Sequence, residues 1–167
     1  MTRSHHRQAS APVAAEKERI ALPPERSVGY ALRETYRAFS RVLTSRISAH
    51  GVTIGQWYFL RVLWEEDGLT QRELSRRVGM MEPTTVTALN GMERRGYVKR
   101  VRNATDRRKV NIFLTKKGRS LRDKLLPHAV EVNEIATQGV PAREIEGFRK
   151  VLRRMKGNLE RTGAWGA

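Results

Sequence analysis

Residues 105–118 read TDRRKVNIFLTKKG, so the carboxylate of Asp106 is followed at once by three cations, Arg107, Arg108 and Lys109. Three adjacent cations on a turn suit one kind of target. They can neutralise phosphates, or enter a narrow minor groove whose negative potential favours arginine. Asp106 would repel the same target and needs another role. It either closes the turn through its side chain or orients a cation, Arg108 or one on a neighbouring helix such as Arg76. A second group lies upstream, Pro83, Thr84, Thr85, Thr87, Ala88 and Arg94. Small and hydroxylated residues let a helix sit deep in the major groove. A threonine hydroxyl can bond a base edge there, and a threonine or alanine methyl can meet thymine. Thr70, Gln71 and Arg76 stand where the preceding helix would meet the phosphate backbone.

The elements that must carry these residues follow from period and punctuation. Residues 27–49 repeat apolar side chains at three- and four-residue steps and end at His50 and Gly51. Thr53 with Gln56 makes a capping box for a bulky helix over 53–66, stopped by Asp67 and Gly68. Thr70 with Glu73 makes another for a short helix over 70–77, and Gly79 opens the turn after it. Pro83 suits the first residue of a helix running to about Arg95, with Val86, Leu89 and Met92 facing inward. Residues 97–101 and 110–114 are β-prone, and Asn103 and Asp106 form the turn between them. A long helix over 116–138, kinked at Pro127, and a last helix over 142–160 complete the chain. Residues 1–26 read as a disordered arm and 161–167 as a flexible tail.

Helix, short helix, turn, helix, hairpin is the order of a winged helix-turn-helix, whose second helix enters the major groove. The fold class is therefore mainly α with a small β-hairpin wing. Charge agrees with this reading. The 167 residues carry a net charge of +16. Between Gly68 and Gly118, thirteen Lys/Arg face four Asp/Glu, a surplus of nine in less than a third of the chain. Polyanions are the partners such a surplus favours.

Composition excludes other chemistry. The chain has no cysteine, which removes disulfides, thiol nucleophiles and thiolate metal sites together. No apolar run approaches the ~20 residues of a membrane span, so no membrane partner and a cytoplasmic location are expected. No Ser/His/Asp set or phosphate loop marks an enzyme. Of His5, His6, His50 and His128, only the adjacent His5 and His6 could bind a metal, and weakly; they read as a solvated tail, and neither metal nor cofactor is expected. The rival that shares the charge is a nucleoid-type DNA- or RNA-binding protein without sequence preference, marked by a steep salt slope alone.

The wing residues Asp106 and Arg108, with Leu114, Thr115 and Gly118 after them, resemble the signature of MarR-type regulators. Thr70, Gln71, Glu73, Leu74 and Ser75 are similar to that family's helix before the turn. Pro83 to Thr87, and Met92, Glu93, Gly96, Tyr97 and Val98, are similar to its recognition helix and exit. The resemblance covers about residues 28–160. It implies a homodimer on a pseudo-palindromic double-stranded operator, with winged domain 53–115 flanked by dimerisation helices 27–52 and 116–160. Two recognition helices would then sit ~34–36 Å apart. It also implies a transcriptional regulator, most often a repressor released by a small effector such as an aromatic acid or its coenzyme A thioester. Thiol-oxidation sensing is excluded by the missing cysteine.

In that family the effector binds between the dimer helices and the winged lobe. The candidates here are Tyr36, Arg37, Phe39, His50, Trp57, Tyr58, Arg61 and Trp64, aromatic walls with a few polar anchors. Arg33, Arg37 and Arg41 form a stripe that could take a carboxylate or the phosphates of coenzyme A.

Overall fold

The computed structural model describes residues 22–163. Most of the expected N-terminal arm, with His5 and His6, lies outside the described residues, as does the end of the tail with Trp165. The chain divides into two compact units, one ending at Arg41 and one beginning at Val42. The first unit holds a 3-10 turn at Pro24–Arg26 and most of helix α1, Val28–Ile47.

The second unit begins with the end of α1, a 3-10 turn at Ser48–His50, and α2, Ile54–Glu65. It continues through β1, Leu69–Thr70, α3, Gln71–Val78, and α4, Glu82–Arg94. Then come β2, Val98–Arg102, β3, Val110–Leu114, α5, Lys116–Thr137, and α6, Ala142–Glu160. Both capping boxes form. Thr53 Oγ1 accepts from the Gln56 amide at 3.2 Å, and Gln56 Oε1 accepts from the Thr53 amide at 3.2 Å. Thr70 Oγ1 accepts from the Glu73 amide, and Glu73 Oε2 accepts from the Thr70 amide. Each box satisfies two amides that a helix start otherwise leaves unpaired. Gly79 ends α3 at φ 72°, a left-handed cap that suits glycine.

The sheet is antiparallel in the order β1-β3-β2. Val98 pairs with Leu114 and Arg102 with Val110 across the hairpin, while Leu69 pairs with Ile112 on the other edge. The fold is thus the winged helix the sequence predicts, with one strand added. β1 has two residues, too few to show an alternating pattern.

The core gathers Ile47, Phe59, Leu60, Leu63, Leu74, Leu89, Met92, Ile112 and Leu125, each essentially inaccessible. Burying such a side chain stabilises the fold by about 1.5–3 kcal/mol. α5 runs unbroken through Pro127, which withholds its backbone donor from the Asp123 carbonyl. α6 buries no residue, although Phe148, Val151 and Leu159 lie along it. Among the described residues no helix is long and apolar enough to cross a membrane.

Candidate nucleic-acid interface

The turn Asn103–Lys109 is built by two side chains. Asn103 Oδ1 accepts from the amides of Thr105 at 3.0 Å and Asp106 at 2.9 Å, and from the Thr105 hydroxyl at 2.8 Å. This is the local bonding that makes asparagine a turn former. Asp106 fills both roles left open by the sequence, closing the turn and holding a cation. Its Oδ1 accepts from the Arg108 amide at 3.1 Å and from Arg108 Nε at 3.2 Å, and its Oδ2 lies 3.7 Å from Lys109 Nζ. Arg76 is not its partner. The Arg108 guanidinium, then the Arg108 amide, hold the Asp106 carboxyl below its ordinary range, with Lys109 adding to the effect. The side chain of Arg108 is nevertheless 92% exposed. Arg107 makes no ion pair among the described residues, so the tip presents all three cations outward.

On α4 the groove-facing candidates divide. Pro83, Thr84, Thr87 and Arg94 are exposed and Ala88 is half-buried. The Thr87 hydroxyl donates to the Pro83 carbonyl at 3.2 Å, leaving its lone pairs and methyl available. Thr85 does not share this face. It is 0% exposed, and its hydroxyl has no hydrogen-bond partner among the described residues. Helix phase puts Thr85 inside. Thr85, Leu89 and Met92 recur at four- and three-residue steps and form the buried stripe, while Val86 turns outward at 36% exposure. α4 also begins one residue earlier than expected, at Glu82, with Pro83 second. Gly91 faces α2, where a Cβ would meet Gln56 Nε2.

Of the three proposed backbone contacts, Arg76 is exposed on α3 and Gln71 is half-buried. The Thr70 hydroxyl is used within the chain, donating to Glu73 Oε2 at 2.6 Å. That bond and the Thr70 amide lower the Glu73 pKa, and the positive charges of Arg76 and Lys109 lower it further. The wing cation and the helix before the turn therefore share one field.

The effector candidates are divided between the two units. Tyr36, Arg37 and Phe39 belong to the unit ending at Arg41, where Arg37 pairs with Glu34 at 3.4 Å and Tyr36 is 54% exposed. In the other unit Trp57 is 4% exposed and packs edge-on against Trp64 at 5.7 Å, with the exposed Arg61 over its ring. Trp57 is core, and its surroundings are filled by these neighbours. The Trp64 indole donates to the Gly118 carbonyl at 3.0 Å and ties α2 to the start of α5. Tyr58 is half-buried. His50 meets His128 of α5, Nε2 to Nε2 at 3.2 Å, a partner the sequence reading missed because 78 residues separate them. One turn further along α5, Glu131 bonds Arg46 at 2.9 Å. An open groove of about 460 Å³ on α5 is lined by Asp123, Leu126, Pro127, Val130, Glu131 and Glu134. It contains none of the candidates, and its three carboxylates would repel an organic acid.

Comparison with known proteins bears on this geometry. The model of the MarR family matches residues 50–109, from the end of the His50 turn to Lys109 at the wing tip. HTH-type transcriptional regulator TtmR of Methylorubrum extorquens (strain PA1) is 40% identical over 103 residues, 60% of this chain and 53% of that protein. The homoprotocatechuate degradative operon repressor of Escherichia coli is 34% identical over 89 residues, 53% of this chain and 58% of that protein. The chain thus spans only about half the length of these curated relatives. A MarR transcriptional regulator from Methanosarcina mazei Go1 superposes with a TM-score of 0.76 at 31% identity, over 81% of this chain and 97% of that one. A winged helix with these wing residues, aligned over nearly the whole of a solved regulator, places this chain in the MarR family of transcriptional regulators.

Proposed function

We propose that the protein is a homodimeric, sequence-specific DNA-binding repressor released by a small aromatic acid or its coenzyme A thioester. The observation that carries the DNA reading is the wing tip, where Arg107, Arg108 and Lys109 all face outward in the same fold that exposes Thr84, Thr87 and Arg94 on α4. Residues 53–115 act as the DNA-binding domain, and 27–52 with 116–160 as the dimerisation helices. α4 reads base edges in the major groove, Arg108 and Arg107 reach the minor groove or its phosphates, and Gln71 and Arg76 meet the backbone. Dimerisation is supported by apolar side chains left outside the fold, including Ile135 at 51% exposure and Phe148 at 50%. The effector class is supported by the name of the Escherichia coli relative, whose operon degrades an aromatic acid. Of the candidate effector residues in the second unit, His50 and Tyr58 are half-buried, as the wall of a partly open site would be.

The test is a binding titration at fixed salt. Purified protein meets DNA from immediately upstream of its own gene and a scrambled competitor, with and without a panel of aromatic acids and their coenzyme A thioesters. Selective binding released by one panel member is the expected result. Equal binding to scrambled DNA would establish the nucleoid-type reading instead, and selective binding released by no member would remove the effector class.

A further inference from the structure

The wing turn is wired to the helix-turn-helix by two asparagine side chains. Asn111 sits on β3 opposite Thr70 of β1 and Val101 of β2. Its Nδ2 donates to the Gly68 carbonyl at 2.6 Å, two residues before the Thr70 cap of α3. Its Oδ1 accepts from Asn103 Nδ2 at 2.9 Å. The Oδ1 of Asn103 gathers the Thr105 and Asp106 amides, and Asp106 holds Arg108. The series therefore runs from Gly68 through Asn111, Asn103 and Asp106 to Arg108 without a gap. Asn103 and Asn111 are both half-buried, so these bonds are less exposed to competition from water than the tip itself.

A hairpin tip carrying three mutually repelling cations has no reason of its own to hold one geometry. The backbone bonds Asn103 N to Lys109 O at 3.0 Å and Lys109 N to Asp106 O at 2.9 Å close the turn. They do not connect it to the helix-turn-helix. The sheet joins β3 to β1, where the Gly68 amide donates to the Ile112 carbonyl at 3.0 Å, and Asn111 adds a side-chain path from the Gly68 carbonyl to the turn itself. We propose that Asn111 and Asn103 are positioning residues that fix the wing-tip arginine relative to α3 and α4, and so set the strength of the minor-groove contact. The inference rests on the DNA reading above and assigns roles to two residues that touch no DNA.

The test is a mutant cycle, because residues in one network are non-additive. Wild type, Asn111→Thr, Arg108→Ala and the double variant are titrated at one salt concentration against a duplex that wild type selects from random DNA, and against a scrambled duplex. Threonine is favoured in strands and keeps β3 while removing the amide bridge. Asn103→Ala is run in the same cycle as a second variant, and thermal melting establishes that each is folded. Asn111→Thr should lose about tenfold on the selected duplex and much less on the scrambled one. In the Arg108→Ala background the same substitution should cost no more than about twofold. Wild-type affinity for both asparagine variants, or losses that simply multiply with that of Arg108→Ala, would overturn the relay. Arg108→Ala binding like wild type would remove the wing contact itself, and the relay with it.

Discussion

Thr85 and Thr87 are two residues apart on α4 and face opposite environments. The hydroxyl of Thr85 is buried without a partner among the described residues, a condition that costs about 1–3 kcal/mol. Thr85→Val keeps the shape and removes the orphan group. It should leave base preference untouched and raise thermal stability, and a lower melting temperature would mean that the hydroxyl is satisfied in solution. Thr87→Ala should do the reverse, shifting the preferred sequence in a random-pool selection while leaving the salt slope alone. An unaltered preference would place Thr87 outside the readout. Asp106 gives a residue-level prediction in pH. Its carboxyl is held low first by the Arg108 guanidinium. A depressed carboxylate contributes stability that is fully present above its unfolded-state pKa and lost as pH falls through the lower folded value. The wing-tip amides of Thr105 and Arg108, followed by NMR, should therefore titrate below the usual aspartate range. A midpoint at the ordinary value would show that the Asp106–Arg108 pair does not persist in solution.

At the scale of elements, the junction between wing and long helix is the most constrained point of the fold. Gly118 packs so closely on the residue before β2 that a Cβ there would fall on the Tyr97 carbonyl oxygen. Thr115 caps the same turn, accepting from the Gly118 amide at 3.0 Å while its hydroxyl donates to the Gly96 carbonyl. Gly118→Ala should cost roughly 3 kcal/mol or more, since backbone must move to admit the methyl. A loss under about 1 kcal/mol by denaturant titration would show that α5 can slide. Such elements were largely legible in the sequence, and physical reasons separate those that were from those that were not. Both capping boxes were legible because their partners are three residues apart and signal through local chemistry. The phase of α4 was misread because Thr85 and Val86 both tolerate either side of a helix, and Leu89 with Met92 fixes the stripe only to within one residue. β1 was invisible because its register comes from Ile112 and Asn111, more than forty residues away. The same distance hid the Asn111 bond to Gly68 and the His50–His128 pair. Local bonding can be read along a chain, whereas bonds between distant segments exist only once the sheet has formed.

At the scale of the whole molecule, both cationic charge and exposed apolar side chains are in excess. The cationic surplus concentrates between Gly68 and Gly118. Exposed large apolar side chains recur on α5 and α6, with Val130 at 55%, Phe148 at 50%, Val151 at 54% and Leu159 at 60%. A lone chain gains nothing from leaving these in water, and a two-fold interface would use each of them twice. Covering the exposed half of Phe148 is worth roughly 1–2 kcal/mol per protomer, hence about 2–4 kcal/mol per dimer. Replacing it by a carboxylate removes that gain and adds a desolvation cost. Phe148→Glu should therefore weaken the dimer by at least about 10²-fold, read by sedimentation over a concentration series. Operator affinity should fall with it, because two recognition helices held one DNA turn apart bind far more tightly than either alone. The winged domain should melt as in wild type, since α6 contributes no buried side chain to it. A variant that stays dimeric at low micromolar concentration would place the interface elsewhere. A variant that turns monomeric yet binds its operator undiminished would remove the requirement for two joined recognition helices.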